Sequence, residues 1–199
     1  MENKEYDSEV SEYLADTKQI EQELYHEKFR SKYLKTLRST LYALVIVAAV
    51  SVLIATLILP ILQIYGNSME PTFREGQIVI CVKKSSYDYG DICSFYYNNR
   101  ILVKRVIAHQ FDYVDIDEDG NVSVNGETLN EPYIKEKAFG NCDIELPYQV
   151  PEGTYFVMGD NREASVDSRS TEVGCVSKDE LVGKLIFVVW PLSEMKIIG

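Results

Sequence analysis

The strongest constraint in this chain is a run of 20 residues, Thr40 to Leu59, without a single charged side chain. As a helix that run is about 30 Å long, which matches the hydrocarbon thickness of a bilayer, so it reads as a transmembrane span. Lys28, Arg30, Lys32, Lys35 and Arg38 precede it, with no acidic residue between positions 28 and 38. Lys and Arg gather on the cytoplasmic side of a span. The expected topology is therefore single-pass and type II in the cell membrane, with the N-terminus cytoplasmic and the larger part of the chain outside. A cleaved signal peptide fits poorly, because 39 residues precede the run and no Ala-x-Ala-like site follows Leu59. Three segments follow: residues 1–39 as a cytosolic tail, 40–59 as an uncleaved signal anchor, and 60–199 as an extracytoplasmic domain. The tail contains no Gly or Pro and is expected to be helical. Its apolar positions, such as Val10, Leu14, Ile20 and Leu24, form too narrow a stripe for a core.

Charge narrows the partners. The net charge of −11 is uneven: residues 1–27 carry nine acidic and two basic side chains, and residues 60–199 carry 22 acidic and 13 basic. A domain of that sign repels phosphate backbones, so nucleic acid is excluded as a partner and the lipid bilayer is expected as one. No cofactor or metal is expected. The four cysteines, Cys81, Cys93, Cys142 and Cys175, form no Cys-x-x-Cys pair. Cys81 and Cys93 sit in apolar runs, where a free cysteine behaves as a small hydrophobe.

Beyond the span the pattern is strands and turns. Gln77 to Lys83, Asp91 to Tyr97 and Ile101 to His109 are rich in β-branched and aromatic residues, the last two joined across Asn98-Asn99-Arg100 as a hairpin. Asp119-Gly120 and Asn125-Gly126 bracket Asn121 to Val124 as a second hairpin signal. Thr154 to Met158 and Leu181 to Trp190 are further strands, so the domain is expected to be mainly β.

Three stretches carry chemistry. In Gly66-Asn67-Ser68-Met69-Glu70-Pro71-Thr72, glycine permits close backbone approach and proline restricts the turn, which suits Ser68 to serve as a nucleophile. In Ile101 to Ala108, strand alternation places Lys104 on one face with Leu102, Val106 and Ala108, and Arg105 on the other with Val103 and Ile107. Apolar surroundings lower a lysine pKa by disfavouring the ammonium, and a neutral amine is a usable base. The third stretch, Gly159 to Arg169, is a dense polar loop after the Thr154 to Met158 strand.

In this order after one span, the three stretches resemble the motifs of the bacterial type I signal peptidases, Ser/Lys-dyad enzymes that remove signal peptides from exported preproteins. The resemblance runs from about Ile64 to Leu192. Ser68 to Thr72 matches the Ser-Met-x-Pro-Thr motif of the nucleophile, and Lys104 to Val106 matches the Lys-Arg-Val motif of the general base. The Gly159 to Arg162 run matches Gly-Asp-Asn-Arg, bringing Asp160 in as a supporting residue. Ser165, Asp167, Ser168 and Arg169 match Ser-x-Asp-Ser-Arg. The resemblance implies that Ser165 orients the lysine while Asp167 and Arg169 hold the site together. It implies a folded β-sheet or barrel catalytic domain on a single N-terminal transmembrane helix, acyl-enzyme chemistry, and signal peptides as substrate.

Some positions depart from the family pattern. Gly66 stands where some members carry a serine whose hydroxyl joins the oxyanion hole, so here the hole is expected to rest on backbone N–H groups, that of Ser68 first. Ala164 stands where asparagine is frequent. Two rivals remain: a catalytically silent relative that assists assembly of surface structures, and a Ser/His peptidase. Retention of Ser68 and Lys104 weighs against the first. Against the second, Lys104 occupies the base position, and alternation places His109 on the opposite face.

Overall fold

The computed structural model describes residue 25, residues 28–30 and 32–53, and residues 59–198. The tail segment 1–24 and positions 54–58 of the expected span lie outside the described residues. Contacts divide the chain into two units, Met1–Ile54 and Ala55–Gly199. In the first, helix α1 (Lys28–Leu53) is long and apolar enough to cross a membrane by length and composition. It starts before Thr40 because the basic residues preceding the apolar run are themselves good helix formers.

Among the described residues, the second unit is built from twelve strands in two antiparallel sheets. The strands are β1 (Ile61–Gln63), β2 (Ile78–Val82), β3 (Ile92–Tyr97), β4 (Arg100–His109), β5 (Tyr113–Ile116), β6 (Val122–Val124), β7 (Glu127–Thr128), β8 (Tyr148–Gln149), β9 (Thr154–Met158), β10 (Val176–Ser177), β11 (Leu181–Trp190) and β12 (Lys196–Ile197). The larger sheet runs β1-β2-β11-β3-β4-β9-β10 with β12 beside β11, and the smaller runs β7-β6-β5-β8. The domain is mainly β, as the sequence predicts. All the expected strands form, while β1, β5, β7, β8, β10 and β12 add short pieces that no strong alternation announced. The β3–β4 turn is two residues long, Tyr97 pairing with Arg100. In the β6–β7 turn Asn125 and Gly126 both have positive φ, 53° and 85°, the backbone a type I′ hairpin requires.

Among the described residues, three apolar clusters hold the domain. One, around Met69, Phe73, Val79, Cys81, Leu185 and Val188, lies beneath the Ser68 turn. A second joins Tyr87, Cys93, Phe95, Val106, Tyr155 and Val157. The third binds the smaller sheet to β4 and β9 through Val114, Ile116, Val122, Phe156 and Met158. The four cysteines are free thiols.

Alternation fails at one point on β4. The register slips between Val106 and Ala108, so that Val106 faces Val157, Ala108 faces Phe156 and His109 faces Tyr155. An extra residue in a strand reverses the facing of everything beyond it. Ala108 therefore joins the cluster with Ile107 and Phe156. His109 returns to the face of Val106 and Lys104, contrary to the expectation from simple alternation. It is stacked on Tyr89 at 3.9 Å, with Tyr155 edge-on at 5.6 Å.

Candidate active site

The Ser68 turn is fastened at both ends. Ile64 donates its N–H to the Gln77 carbonyl at 2.8 Å, Gly76 donates to Ile64 at 2.9 Å, and Phe73 donates to Met69 at 2.9 Å. Met69 and Phe73 are buried in the core, so the exposed part of the turn is aimed from below by hydrophobic anchors. Gly66 has φ +77°, a left-handed backbone that glycine adopts without penalty, and a side chain built there would point into open space. On the far side, the Ser68 carbonyl accepts the Asn161 N–H at 3.0 Å, and Asn67 accepts from the Asn161 side chain at 3.3 Å. The third motif thus holds the first through its backbone.

Lys104 sits opposite Cys93 in the β3–β4 ladder and is only 3% exposed. Its Nζ donates to Ser68 Oγ at 2.8 Å. Burial pushes the Lys104 pKa below its ordinary value; the Asp167 carboxylate pulls it back up and Arg169 presses it down. At this separation an unprotonated amine accepts the hydroxyl proton directly, the reach a general base needs. The sequence expected this depression from Leu102 and Val106. The structure adds Arg169 to that depression, and Asp167, Asp160 and Cys93 as opposing influences.

Two buried arginine–carboxylate pairs frame the dyad. Arg105, next in the chain to Lys104, donates to both oxygens of Asp160, Nε to Oδ1 at 2.8 Å and Nη2 to Oδ2 at 2.7 Å. The Thr72 hydroxyl donates to the same carboxylate, tying the far end of the Ser68 turn to it. Arg169 donates to Asp167 at 2.9 and 3.0 Å and to the Arg162 carbonyl at 2.8 Å, while Asp167 also accepts the Gly159 N–H at 2.9 Å. Burial works to raise the Asp167 pKa, but Arg169 together with the hydrogen bonds the carboxylate accepts holds it below the usual range. Buried charges of this kind persist only when each has its partner and its hydrogen bonds.

Every residue singled out from the sequence falls in this one region. The Ser165 hydroxyl is buried and makes no hydrogen bond to Lys104 among the described residues, so no bond from it orients the lysine. It packs on Gly159, where a Cβ would come 2.5 Å from both Ser165 Cβ and the Ser68 carbonyl oxygen. Arg105, Thr72 and Asn161 lie in the matched motifs without a role assigned from sequence, and Glu131 lies outside them, since nothing in a lone polar residue says which buried charge it will meet. Among the described residues no three His, Cys, Asp or Glu side chains are grouped to hold a metal ion. A cleft lined by Tyr65, Gly66, Ser68, Leu102, Val103 and Lys104 runs up to the dyad on one side. On the other side of the turn a cavity of about 400 Å³ opens between Glu70, Pro71 and Asn161.

The chain was also compared with known proteins. Residues 37–190 match the family described as signal peptidase, peptidase S26. Signal peptidase IB of Staphylococcus aureus (strain Mu50) is 36% identical over 153 residues, covering 67% of this chain and 78% of the relative. Signal peptidase I of Bacillus licheniformis is 32% identical over 167 residues, 77% of this chain and 89% of the relative. A solved signal peptidase I from Enterococcus faecalis V583 aligns at 28% identity over 50% of this chain and 97% of its own, with a TM-score of 0.41. A match across most of the chain, with relatives at this identity and coverage, means that the chain belongs to the signal peptidase family, peptidase S26, and with it to the serine endopeptidases that process signal peptides.

Proposed function

We propose that Ser68 is the nucleophile and Lys104 the general base of this endopeptidase. The observation that carries the reading is the 2.8 Å contact between Lys104 Nζ and Ser68 Oγ, with Lys104 buried to 3% exposure. Lys104 takes the hydroxyl proton as Ser68 attacks the scissile carbonyl, gives it to the leaving amine, and then activates water to hydrolyse the acyl-enzyme. The developing oxyanion is met by backbone N–H groups. That of Ser68 is free for this, making no hydrogen bond among the described residues. Asp160, Asp167 and Arg169 keep the two motifs in register.

The substrate is a signal peptide presented as an extended strand. Between Arg100 and Lys104, β4 pairs with β3 on one side, while β9 joins it only from Arg105 onward. That open edge lines the cleft leading to Ser68, and an extended peptide can add to it through main-chain hydrogen bonds.

The same reading puts the N-terminus in the cytoplasm and the catalytic domain outside, supported by the five basic residues before Thr40. A lipid surface as partner is supported by an apolar row on the outer face of the larger sheet. Ile61, Ile80, Phe187 and Ile197 are successive cross-strand neighbours, and Ile61 and Ile197 are 64% and 81% exposed. Protease added to intact spheroplasts should digest the domain and spare residues 1–39; the reverse pattern overturns the topology.

The dyad is tested by incubating the purified full chain, in detergent, with a labelled preprotein. Wild type should release the mature product, whereas Ser68→Ala and Lys104→Met should not. Product release by Ser68→Ala would remove Ser68 from the chemistry.

A further inference from the structure

Two residues outside the three motifs touch both halves of the site. Glu131 and Tyr133 lie just beyond β7, at the end of the smaller sheet. The Glu131 carboxylate and the Arg162 guanidinium are both 0% exposed and form a two-pronged pair: Arg162 Nη1 donates to Oε2 at 3.0 Å and Nη2 to Oε1. The Tyr133 hydroxyl donates to the same carboxylate at 2.9 Å, and the Tyr133 ring lies against the Arg105 guanidinium, 3.8 Å from its carbon to the ring centroid.

Each arginine is one peptide from a working group. Arg105 follows Lys104 on β4, and its pair with Asp160 fixes where that part of the strand lies. Arg162 follows Asn161, whose N–H holds the Ser68 carbonyl, and its Nε donates to the Gly159 carbonyl at 3.1 Å. Glu131 and Tyr133 therefore grip the base strand and the nucleophile-holding loop at once, from a third element. A buried guanidinium keeps its place only while its counter-charge does, because removing one partner leaves an uncompensated charge that must move or hydrate. An arginine over an aromatic face gains attraction that grows as water is excluded.

We infer that Glu131 and Tyr133 are positioning residues of the peptidase, a clamp that sets the Ser68–Lys104 separation by fixing Arg162 and Arg105 together. The inference rests on the dyad proposed above. Neither residue touches the reacting atoms; their effect reaches the reaction through distance. Displacement of reacting groups by about 1 Å can cost about a hundredfold in rate, so loosening either arginine lowers turnover and leaves binding in the Leu102–Val103 cleft intact.

The test is kcat and KM of the full chain in detergent on a labelled preprotein, for wild type, Glu131→Gln, Tyr133→Leu, Tyr133→Phe and Val176→Ala, with Ser68→Ala alongside and thermal unfolding measured for each. Glu131→Gln should lower kcat by at least about tenfold with KM changed less than about threefold. Tyr133→Leu, which removes the aromatic face and the hydroxyl, should do the same. Tyr133→Phe, which keeps the ring on Arg105, should lose less than Tyr133→Leu. Val176→Ala truncates a buried core residue on β10 and should lower the unfolding temperature without lowering kcat. If Glu131→Gln does not fold, the two Tyr133 variants decide. Wild-type kcat in folded Glu131→Gln or Tyr133→Leu overturns the clamp, as does a kcat that falls no further than in an equally destabilised Val176→Ala. Activity in Ser68→Ala would instead overturn the dyad itself.

Discussion

Gly159→Ala should inactivate the enzyme by geometry alone. Gly159 has no special φ to protect, so an alanine there is not strained by its own backbone. Space is the obstacle: the added Cβ would come 2.5 Å from the Ser68 carbonyl oxygen and 2.5 Å from Ser165 Cβ. Ordinary contact begins near 3.4 Å, so one of these atoms must withdraw by roughly 1 Å. The Ser165 hydroxyl can rotate away, but its Cβ moves only with the backbone. The Ser68 carbonyl is held by Asn161 at 3.0 Å, and Ser68 Oγ is held by Lys104 at 2.8 Å. Whichever gives way, the dyad loosens. Overpacking of this kind costs about 1–3 kcal/mol of stability, which a folded domain survives. A misplacement of about 1 Å at the reacting centre costs about a hundredfold in rate, or ~2.7 kcal/mol of barrier. The assay is kcat/KM on a labelled preprotein in detergent, with thermal unfolding measured on the same preparations. Gly183→Ala is the control, because its Cβ would meet Cys81 Cβ and the Val82 carbonyl at 3.0 Å, a milder crowding that touches neither Ser68 nor Lys104. It should lower stability and leave kcat/KM near wild type. Folded Gly159→Ala with activity within about threefold of wild type would refute the argument, since ~1 Å at the dyad predicts far more.

Lys104→Arg keeps a cation that does not give up its proton in a protein, so it should be as inactive as Lys104→Met, a loss of about 10²–10⁴-fold. Burial holds the Lys104 pKa down, so wild-type kcat/KM should rise through that lowered value and flatten below the ordinary ~10.4; a rise tracking ~10.4 would contradict it. The unfolded chain binds this proton more readily than the folded one, so stability attributable to Lys104 increases with pH toward ~10.4, a slope that Lys104→Met should lack in unfolding titrations. Asp167→Asn leaves Arg169 buried without its counter-charge and should cost about 3–5 kcal/mol at neutral pH by denaturant unfolding. Because the folded Asp167 pKa is lowered, its stabilisation is complete above the unfolded ~3.9 and fades as pH falls toward the folded value; a difference from wild type that persists unchanged below both would count against it. Gly66→Ser meets no neighbouring atom but forces a side chain into φ +77°, a strain of about 1–2 kcal/mol, so activity should fall by about 5–30-fold, and less in Gly66→Asn. Activity at or above wild type in Gly66→Ser would show that the turn tolerates the strain.

The sequence by itself determined much of this protein, for reasons that act over short distances. A charge-free run of bilayer length is a solvation statement and needs no tertiary context. The long strands Thr154–Met158 and Leu181–Trp190 were legible to the residue, because β-branched and aromatic runs between turn residues leave the backbone little choice. The order of the Ser68, Lys104 and Gly159–Arg169 motifs pointed to a dyad before any distance was known. Only the tertiary structure decided what depends on contacts far apart in the chain. The bulge near Ile107, which returns His109 to the Lys104 face, comes from the pairing of β4 with β9 and leaves no mark in local alternation. Glu131 and Arg162 are 31 residues apart, and Thr72 and Asp160 are 88 apart. Nothing in either residue of such a pair names the other. Their meeting is a property of two sheets packed on shared apolar clusters, and that packing turns a list of polar residues into a site with Lys104 Nζ 2.8 Å from Ser68 Oγ.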